Sequence, residues 1–372
     1  MFSNHSRAMA LALFAWLGLA AQAHAQSVDA FNPDANEEVY GIAAQPDGKV
    51  LIGGFFDGLG GLPHRHLARV NPNGALDTNF NTDVDDDVFA IAVQPDGHIV
   101  IGGHFGMVNG QPRSYLARLN PDGSLDNAFN INAGGPVYEA LVQPDGKVVV
   151  AGHFRQVGGQ DRVGLARINT NGSLDTTFVP QVQFISQGIA LQPDGKIVAG
   201  GNFPSTSDYV ISRLNPDGSI DTNFNVDVDG LLEAIAVQPG GKIVVAGQFT
   251  TLAGVARGNI GRLNPNGTLD PTFIANTDDR ISTLAQQPDG SLYVGGNFRS
   301  IGGQARHYAA RLLRNGAVDL AFNPVPDDRV DAIVRQADGK LLLGGNFVTL
   351  GTALRNRVAR VNVDSIFADG FD

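Results

Sequence analysis

The sequence predicts an all-β protein, a seven-bladed β-propeller of four-stranded blades that follows an N-terminal signal peptide. Three observations predict it. The phrase Gln-Pro-Asp-Gly-Lys, with single substitutions in some copies, begins at Gln45, Gln94, Gln143, Gln192, Gln238, Gln287 and Gln336, at spacings of 49 residues in five intervals and 46 in one. Each interval holds four short β-rich runs parted by tight turns. No sustained helical period appears after residue 25. A β-solenoid is the competing architecture, but its rungs are shorter and it needs no fixed copy number.

Residues 1–25 read as the signal peptide. Arg7 supplies the positive n-region, an apolar run extends from Met9 to Ala21, and Ala23-His24-Ala25 offers a small-x-small cleavage site before Gln26. The expected location is therefore secreted, periplasmic or cell-surface, with cleavage after Ala25. The apolar run is short for a membrane span, and no later stretch is long enough. The chain has no cysteine, which excludes disulfides and a lipid anchor through Cys. A chain of 372 residues buries enough core to fold without them. The net charge is −11, and loss of Arg7 makes it more negative. No basic stripe remains for phosphates, which argues against nucleic acid and against an anionic membrane surface.

The propeller is expected over residues 26–364 as one domain, because no linker interrupts the copies, with residues 365–372 as a tail. In the first copy Val39-Tyr40-Gly41-Ile42-Ala43-Ala44 is strand A, and Pro46-Asp47-Gly48 is a turn in which Asp-Gly accepts positive φ. Val50-Leu51-Ile52 is strand B, whose consecutive apolar residues fit burial on both faces. A Gly-rich loop leads to strand C, His66-Leu67-Ala68-Arg69-Val70. Asn71-Pro72-Asn73-Gly74 is the second turn, and Ala75-Leu76-Asp77-Thr78-Asn79-Phe80 is the outer strand D. The last copy lacks the turn before its strand D. The N-terminal Val28-Asp29-Ala30-Phe31 resembles that strand, so it is expected to complete the last blade and remove a free sheet edge. A competing closure uses Val363-Asp364-Ser365-Ile366-Phe367.

Together, Gln-Pro-Asp-Gly-Lys, Gly-Gly-x-Phe, Arg-Leu-Asn-Pro-Asp-Gly-Ser-Leu-Asp and the trailing Phe resemble the delta-60 repeat family, a bacterial β-propeller family of uncharacterised function. The resemblance covers residues 29–364. It implies the fold and export, and no activity.

Residues that recur in every blade are read as fold devices. Arg69, Arg118, Arg167, Arg213, Arg262, Arg311 and Arg360 lie on strand C. Asp77, Asp126, Asp175, Asp221, Asp270 and Asp319 follow the first six by eight residues, with Asp29 as the seventh. A hydrogen-bonded Arg–carboxylate network pinning the outer hairpin accounts for them better than an array of ion sites. The lysines Lys49, Lys147, Lys196, Lys242 and Lys340 read as solvated hairpin ends.

Function is sought where the repeat varies. The A–B and C–D turns share one face and are nearly uniform, whereas the D–A and B–C loops share the other and differ between blades. Three sets of residues sit there. The position before the Phe that ends strand B holds Phe55, His104, His153, Asn202, Gln248, Asn297 and Asn346, which could line the channel mouth or cap loop backbone. The B–C loops carry Arg113, Arg162, Arg257, Arg306 and Arg355, suited to an acidic sugar or carboxylate if they converge. Blade 4 is three residues shorter here, between Phe203 and Arg213. The acidic D–A loop with Asp83, Asp85 and Asp87 suits Ca²⁺ by ligand type, although it lacks the EF-hand spacing.

No Gly-x-Ser-x-Gly elbow, His-Glu-x-x-His or Walker loop is present. The first expectation is a non-enzymatic, monomeric binding or scaffold propeller, with a glycan or surface protein as partner. The alternatives are a hydrolase or lyase acting on a polysaccharide or peptide at the same face, and a structural adhesion module. An enzyme requires shifted titratable groups off the seven-fold pattern in a pocket. A sugar platform requires exposed aromatics.

Overall fold

Strand B is the most apolar run of each repeat because every blade is sandwiched between two others. In blade 1 all of Val50–Gly54 is buried. A computed structural model describes residues 27–182, 185–202 and 208–363. They form seven antiparallel sheets with the order A–B–C. From blade 1 to blade 7, strand A spans Val39–Ala44, Val88–Val93, Val137–Val142, Ile185–Leu191, Leu231–Val237, Ile281–Gln286 and Val330–Arg335. Strand C spans Leu67–Val70, Leu116–Leu119, Leu165–Ile168, Tyr209–Leu214, Ile260–Leu263, Ala309–Leu312 and Val358–Val361. The inner strands A neighbour one another in sequence order, and that of blade 7 lies beside that of blade 1, so the ring is closed. No helix occurs among the described residues, and none is long and apolar enough to cross a membrane.

The core lies between blades. One cluster joins Leu51 and Leu67 of blade 1 to Phe80, Val88, Ile99 and Phe105 at the next blade. The close approach explains the Gly-Gly pair that ends strand B. A Cβ on Gly53 would lie 2.8 Å from Val88 Cγ1, and one on Gly54 would lie 2.1 Å from the Glu38 carbonyl oxygen.

Strand D is abbreviated in six blades. It keeps one bridge to strand C, as in Val70↔Leu76. Asp77 then turns the chain, its Oδ1 accepting the Asn79 amide at 3.2 Å, because an Asp side chain competes with a ladder for backbone donors. Blade 4 is the exception, with a long outer strand, Ile220–Val228. In blade 7 the bridge is Val28↔Val361. Asp29 N donates to Arg360 O at 3.1 Å and Asn362 N to Ser27 O at 3.0 Å. The N-terminal segment therefore closes the ring. The expected signal peptide, residue 364 and the tail lie outside the described residues.

In blades 1 to 3 and 5 to 7 the B–C loops fold into two-residue-strand hairpins, such as Met107–Val108 with Gln111–Pro112. The preceding D–A segment bridges onto each, as in Val84↔Val108, Ala133↔Val157 and Thr277↔Ile301. These bridges place the D–A and B–C loops on one face, as the repeat predicts.

Candidate functional site

The recurring charges form a structural belt. Arg69 Nε and Lys49 Nζ each donate to Asp77 Oδ2 at 2.8 Å, and Arg69 stacks 4.5 Å over the Phe80 ring. Arg69 also reaches the Pro121 carbonyl of the next blade at 2.6 Å. Arg360 of blade 7 does the same to Pro72 of blade 1 at 2.8 Å. The lysines are not solvated ends: Lys147, Lys196 and Lys242 also pair with the strand D aspartate. These carboxyls are held low. In blade 4 the hydrogen bond from Lys196, then that from Arg213, hold Asp221 at about 2 against the opposing burial. Blade 6 carries Ser291 in place of Lys, and Arg311 swings toward Asp289 at 3.1 Å and the Tyr293 ring.

The B–C arginines do not converge on an open face. Arg113, Arg162, Arg257 and Arg306 are buried. Each, like Arg355, turns its guanidinium back to the carbonyl of the preceding residue, at 2.6–2.8 Å. Arg306 also holds the Leu320 and Phe322 carbonyls, stitching the hairpin to the end of the blade. Nor are Asp83, Asp85 and Asp87 gathered around a cation position. Asp85 Oδ1 accepts the Gly106 and Met107 amides, each at 2.9 Å, a role repeated by Asp229, Asp278 and Asp327 in later blades. Asp83 sits exposed, and its amide is held by Asn109 Oδ1 at 2.8 Å. Among the described residues no three His, Asp or Glu side chains assemble as metal ligands.

At the end of strand B the residues divide. Asn297 and Asn346 donate to Asp279 at 2.6 Å and Asp328 at 2.7 Å, capping the loop of their own blade. His153 and Gln248 are exposed, and Asn202 ends strand B opposite Ile185 and Tyr209. His104 is different, since its ring packs 4.9 Å from Phe89, edge-on.

That contact leads to a feature the loops did not reveal. Strand A is bulged near its start in every blade, with register shifts across Val39/Gly41, Val88/Ala90 and Val137/Glu139, and likewise in blades 4 to 7. A bulge re-aims the extra residue, here at the channel mouth on the variable face. In blades 1 to 3 and 5 to 7 the extra residues are Tyr40, Phe89, Tyr138, Glu233, Ser282 and Asp331. In blades 1 to 3 they are aromatic and meet across blades: Phe89 lies 5.2 Å from Tyr40 and 5.8 Å from Tyr138. Phe55, 52% exposed, packs 6.3 Å from the His66 ring, apart from this arc. In blades 5 and 7 the bulge residues, Glu233 and Asp331, belong to ion pairs. Arg280 faces Glu233 at 3.6 Å, and Arg329 joins Asp331 at 2.9 Å and Glu38 at 2.5 Å. The Tyr40 hydroxyl donates to the same Glu38 oxygen at 2.6 Å.

The mouth is short of positive charge. Burial, ahead of the counter-charges of Arg280 and Arg329, pushes the Glu233 and Asp331 carboxyls up. Burial, then the charge of Asp86, raises Asp87. Burial and the hydrogen bond to Glu38 raise the Tyr40 phenol. One turn of pleat deeper, Glu139 accepts the Ile189 amide of blade 4 at 2.7 Å, and burial pushes its carboxyl up to about 8.

A family model described as "Domain of unknown function (DUF5122) beta-propeller" matches residues 45–80, 94–129, 143–178, 192–224, 238–273, 287–322 and 336–365, one segment per blade. The chain belongs to the DUF5122 beta-propeller family. No curated protein matches it by sequence. Among solved structures it is similar to the WD40 β-propeller domain of Doa1, with a TM-score of 0.60 at 12% identity, covering 92% of this chain and 98% of that one. The Dos1 propeller gives 0.55 at 12%, covering 91% and 96%. A catalytically inactive variant of virginiamycin B lyase from Staphylococcus aureus, with quinupristin, gives 0.54 at 13%, covering 91% and 100%. At these identities what is shared is the fold.

In this DUF5122 propeller the family segments begin at the Gln of each A–B turn and, in the first six blades, end at the Phe that follows the strand D aspartate. The D–A loops and strands A fall in the gaps. Tyr40, Phe89 and Tyr138 therefore lie outside the pattern that defines the family. Concavities lie elsewhere on the molecule. A 410 Å³ depression on the uniform face is lined by Pro144, Leu191, Pro193 and Pro239. A 500 Å³ hollow at the rim of blade 4 is lined by Tyr209, Asn225 and Asp227.

Proposed function

We propose that this DUF5122 propeller is a non-enzymatic binding module that takes a glycan at the channel mouth of blades 1 to 3. The observation that carries the reading is the arc of Tyr40, Phe89 and Tyr138, brought together by one bulge position in three consecutive blades. A pyranose ring has an apolar C–H face that packs on an aromatic ring, and hydroxyls that need donors and acceptors at its rim. Here Glu38, Asp87 and His104 stand at that rim. The acidic mouth and the net charge of −11 disfavour acidic sugars and polyphosphates. A hydrolase or lyase at the same mouth is the second reading, favoured by Glu139, whose carboxyl is off the seven-fold pattern and raised to about 8. We read the repeat itself as the delta-60 unit, on the motifs Gln-Pro-Asp-Gly-Lys and Arg-Leu-Asn-Pro-Asp-Gly-Ser-Leu-Asp.

A glycan array probed with the protein and with Phe89→Ser tests the binding reading. Ser282 occupies the same bulge in blade 6, so the fold accepts serine there. The expected outcome is a bound glycan whose affinity falls about tenfold or more in the variant, the scale of one lost stacking contact. Retained affinity in Phe89→Ser removes the site from this mouth.

A further inference from the structure

We infer that the glycan seated at this mouth carries a free, protonated amine, as in a hexosamine unit without its acetyl group, and that Asp87 is the counter-ion; the inference rests on the glycan-binding reading above. Asp87 Oδ1 is shielded from solvent and accepts no hydrogen bond. The nearest basic nitrogen, His66 Nδ1, is 3.7 Å away and lies 3.1 Å from the Gly54 carbonyl oxygen. A carboxylate short of donors is costly to hold half-buried, so an incoming N–H that reaches the exposed part of the Asp87 side chain, 16% of it, gains more than it would in water.

The repeat shows how local this is. Positions equivalent to Asp87 hold Glu38, Pro136, Ile185, Leu231, Arg280 and Arg329. Carboxylates occur only in blades 1 and 2, and Glu38 is already satisfied by Arg329 and the Tyr40 hydroxyl. Asp87 is thus the mouth carboxylate at this position that no arginine or lysine pairs: His66 and His104 stand near it, and Asp86 and Glu38 add negative charge around it. Two residues on, Phe89 lies between the rings of Tyr40 and Tyr138. The faces of aromatic rings attract an ammonium group through their quadrupole, and more strongly away from bulk water. An acetylated nitrogen has neither the charge for the rings nor the charge-assisted hydrogen bond for Asp87.

Calorimetric titration at about pH 5.5, where the glucosamine amine is protonated although the neighbouring oxygens lower its pKa below that of a lysine, tests this with two probes, a β-1,4-linked glucosamine oligomer and its fully N-acetylated counterpart. The free-amine oligomer is expected to bind about tenfold tighter. Asp87→Asn should abolish that preference, weakening the free-amine oligomer about tenfold more than the acetylated one. The Asp87 side chain accepts no hydrogen bond in the fold, so the isosteric change removes none. Phe89→Ser should weaken both oligomers. Equal affinity for the two probes, or a preference that survives Asp87→Asn, overturns the amine assignment and leaves the glycan reading standing. So does failure of both oligomers while a neutral glycan binds in a Phe89-dependent way. Binding of either oligomer that is indifferent to Phe89→Ser overturns the glycan site itself.

Discussion

Glu139 stands on strand A of blade 3 where the other blades carry Gly41, Ala90, Gly188, Ala234, Thr283 and Ala332. No requirement of the repeat puts a carboxyl there. Its one hydrogen bond, from the Ile189 amide, does not offset burial, and the carboxyl is pushed up to about 8 from 4.5. The folded protein then keeps a proton that the unfolded chain releases above 4.5. The stability this group contributes is fully present below 4.5 and is lost as pH rises toward 8, at most about 1.4 kcal/mol per pH unit. Glu139→Gln imitates the protonated form and does not titrate. Its melting temperature relative to the parent should therefore rise between pH 5 and pH 8.5, whereas a difference constant with pH contradicts the assignment. The same variant bears on the second reading, since a bound glycan that is cleaved by the parent and spared by Glu139→Gln would establish an enzyme. Such single residues were visible in the sequence but not marked by it. Tyr40, Phe89 and Tyr138 read as ordinary strand residues because aromatic and β-branched side chains fill strands, and only the bulge turns them to the channel.

Outside blade 4, the outer hairpin of each blade is an element whose order depends on ion pairing more than on its ladder. Strand D keeps a single bridge in six blades, and Asp270, Arg262 and Lys242 hold the hairpin of blade 5 in its place. The pairing was legible because Arg and Asp recur eight residues apart across a two-strand turn. The lysine was misread as solvated, because its partner lies 28 residues away and one strand beyond the intervening strand C. Removing one member of a buried pair strands the other, at a cost of about 3 kcal/mol. The Asp270 carboxyl lies below the usual carboxylate range: burial opposes this, but the bonds from Lys242 and Thr272 outweigh it. Its contribution is thus present above about pH 4 and is lost as pH falls through the folded value. Asp270→Asn should lower the melting temperature clearly at pH 7, and the deficit should shrink in strong acid. An equal deficit at both pH values would mean that packing, not charge, holds the hairpin.

At the scale of the molecule, the ring closes by two devices that join its ends. Val28 bridges to Val361 on the outer strand of blade 7, and Arg360 reaches the Pro72 carbonyl of blade 1. Phe31 under Arg360 repeats the stacking of Phe80 under Arg69. This much was legible, because Asp29 and Phe31 copy the end of a repeat. The candidate site was not. Tyr40, Phe89 and Tyr138 are 49 residues apart in sequence, and they meet only because consecutive blades place one bulge position side by side. The loops that vary most in sequence spend their polar groups on their own backbone, as Arg162 and Asp85 do. The repeat thus uses its conserved-looking charges to hold the ring and leaves one inner column free to differ. The most direct measurement is a crystal structure of the protein with a glycan that binds it. The account predicts a sugar ring against Phe89, between Tyr40 and Tyr138, on the D–A and B–C face. A sugar in the depression beneath Pro144, Pro193 and Pro239, or in the hollow at Tyr209, would contradict it.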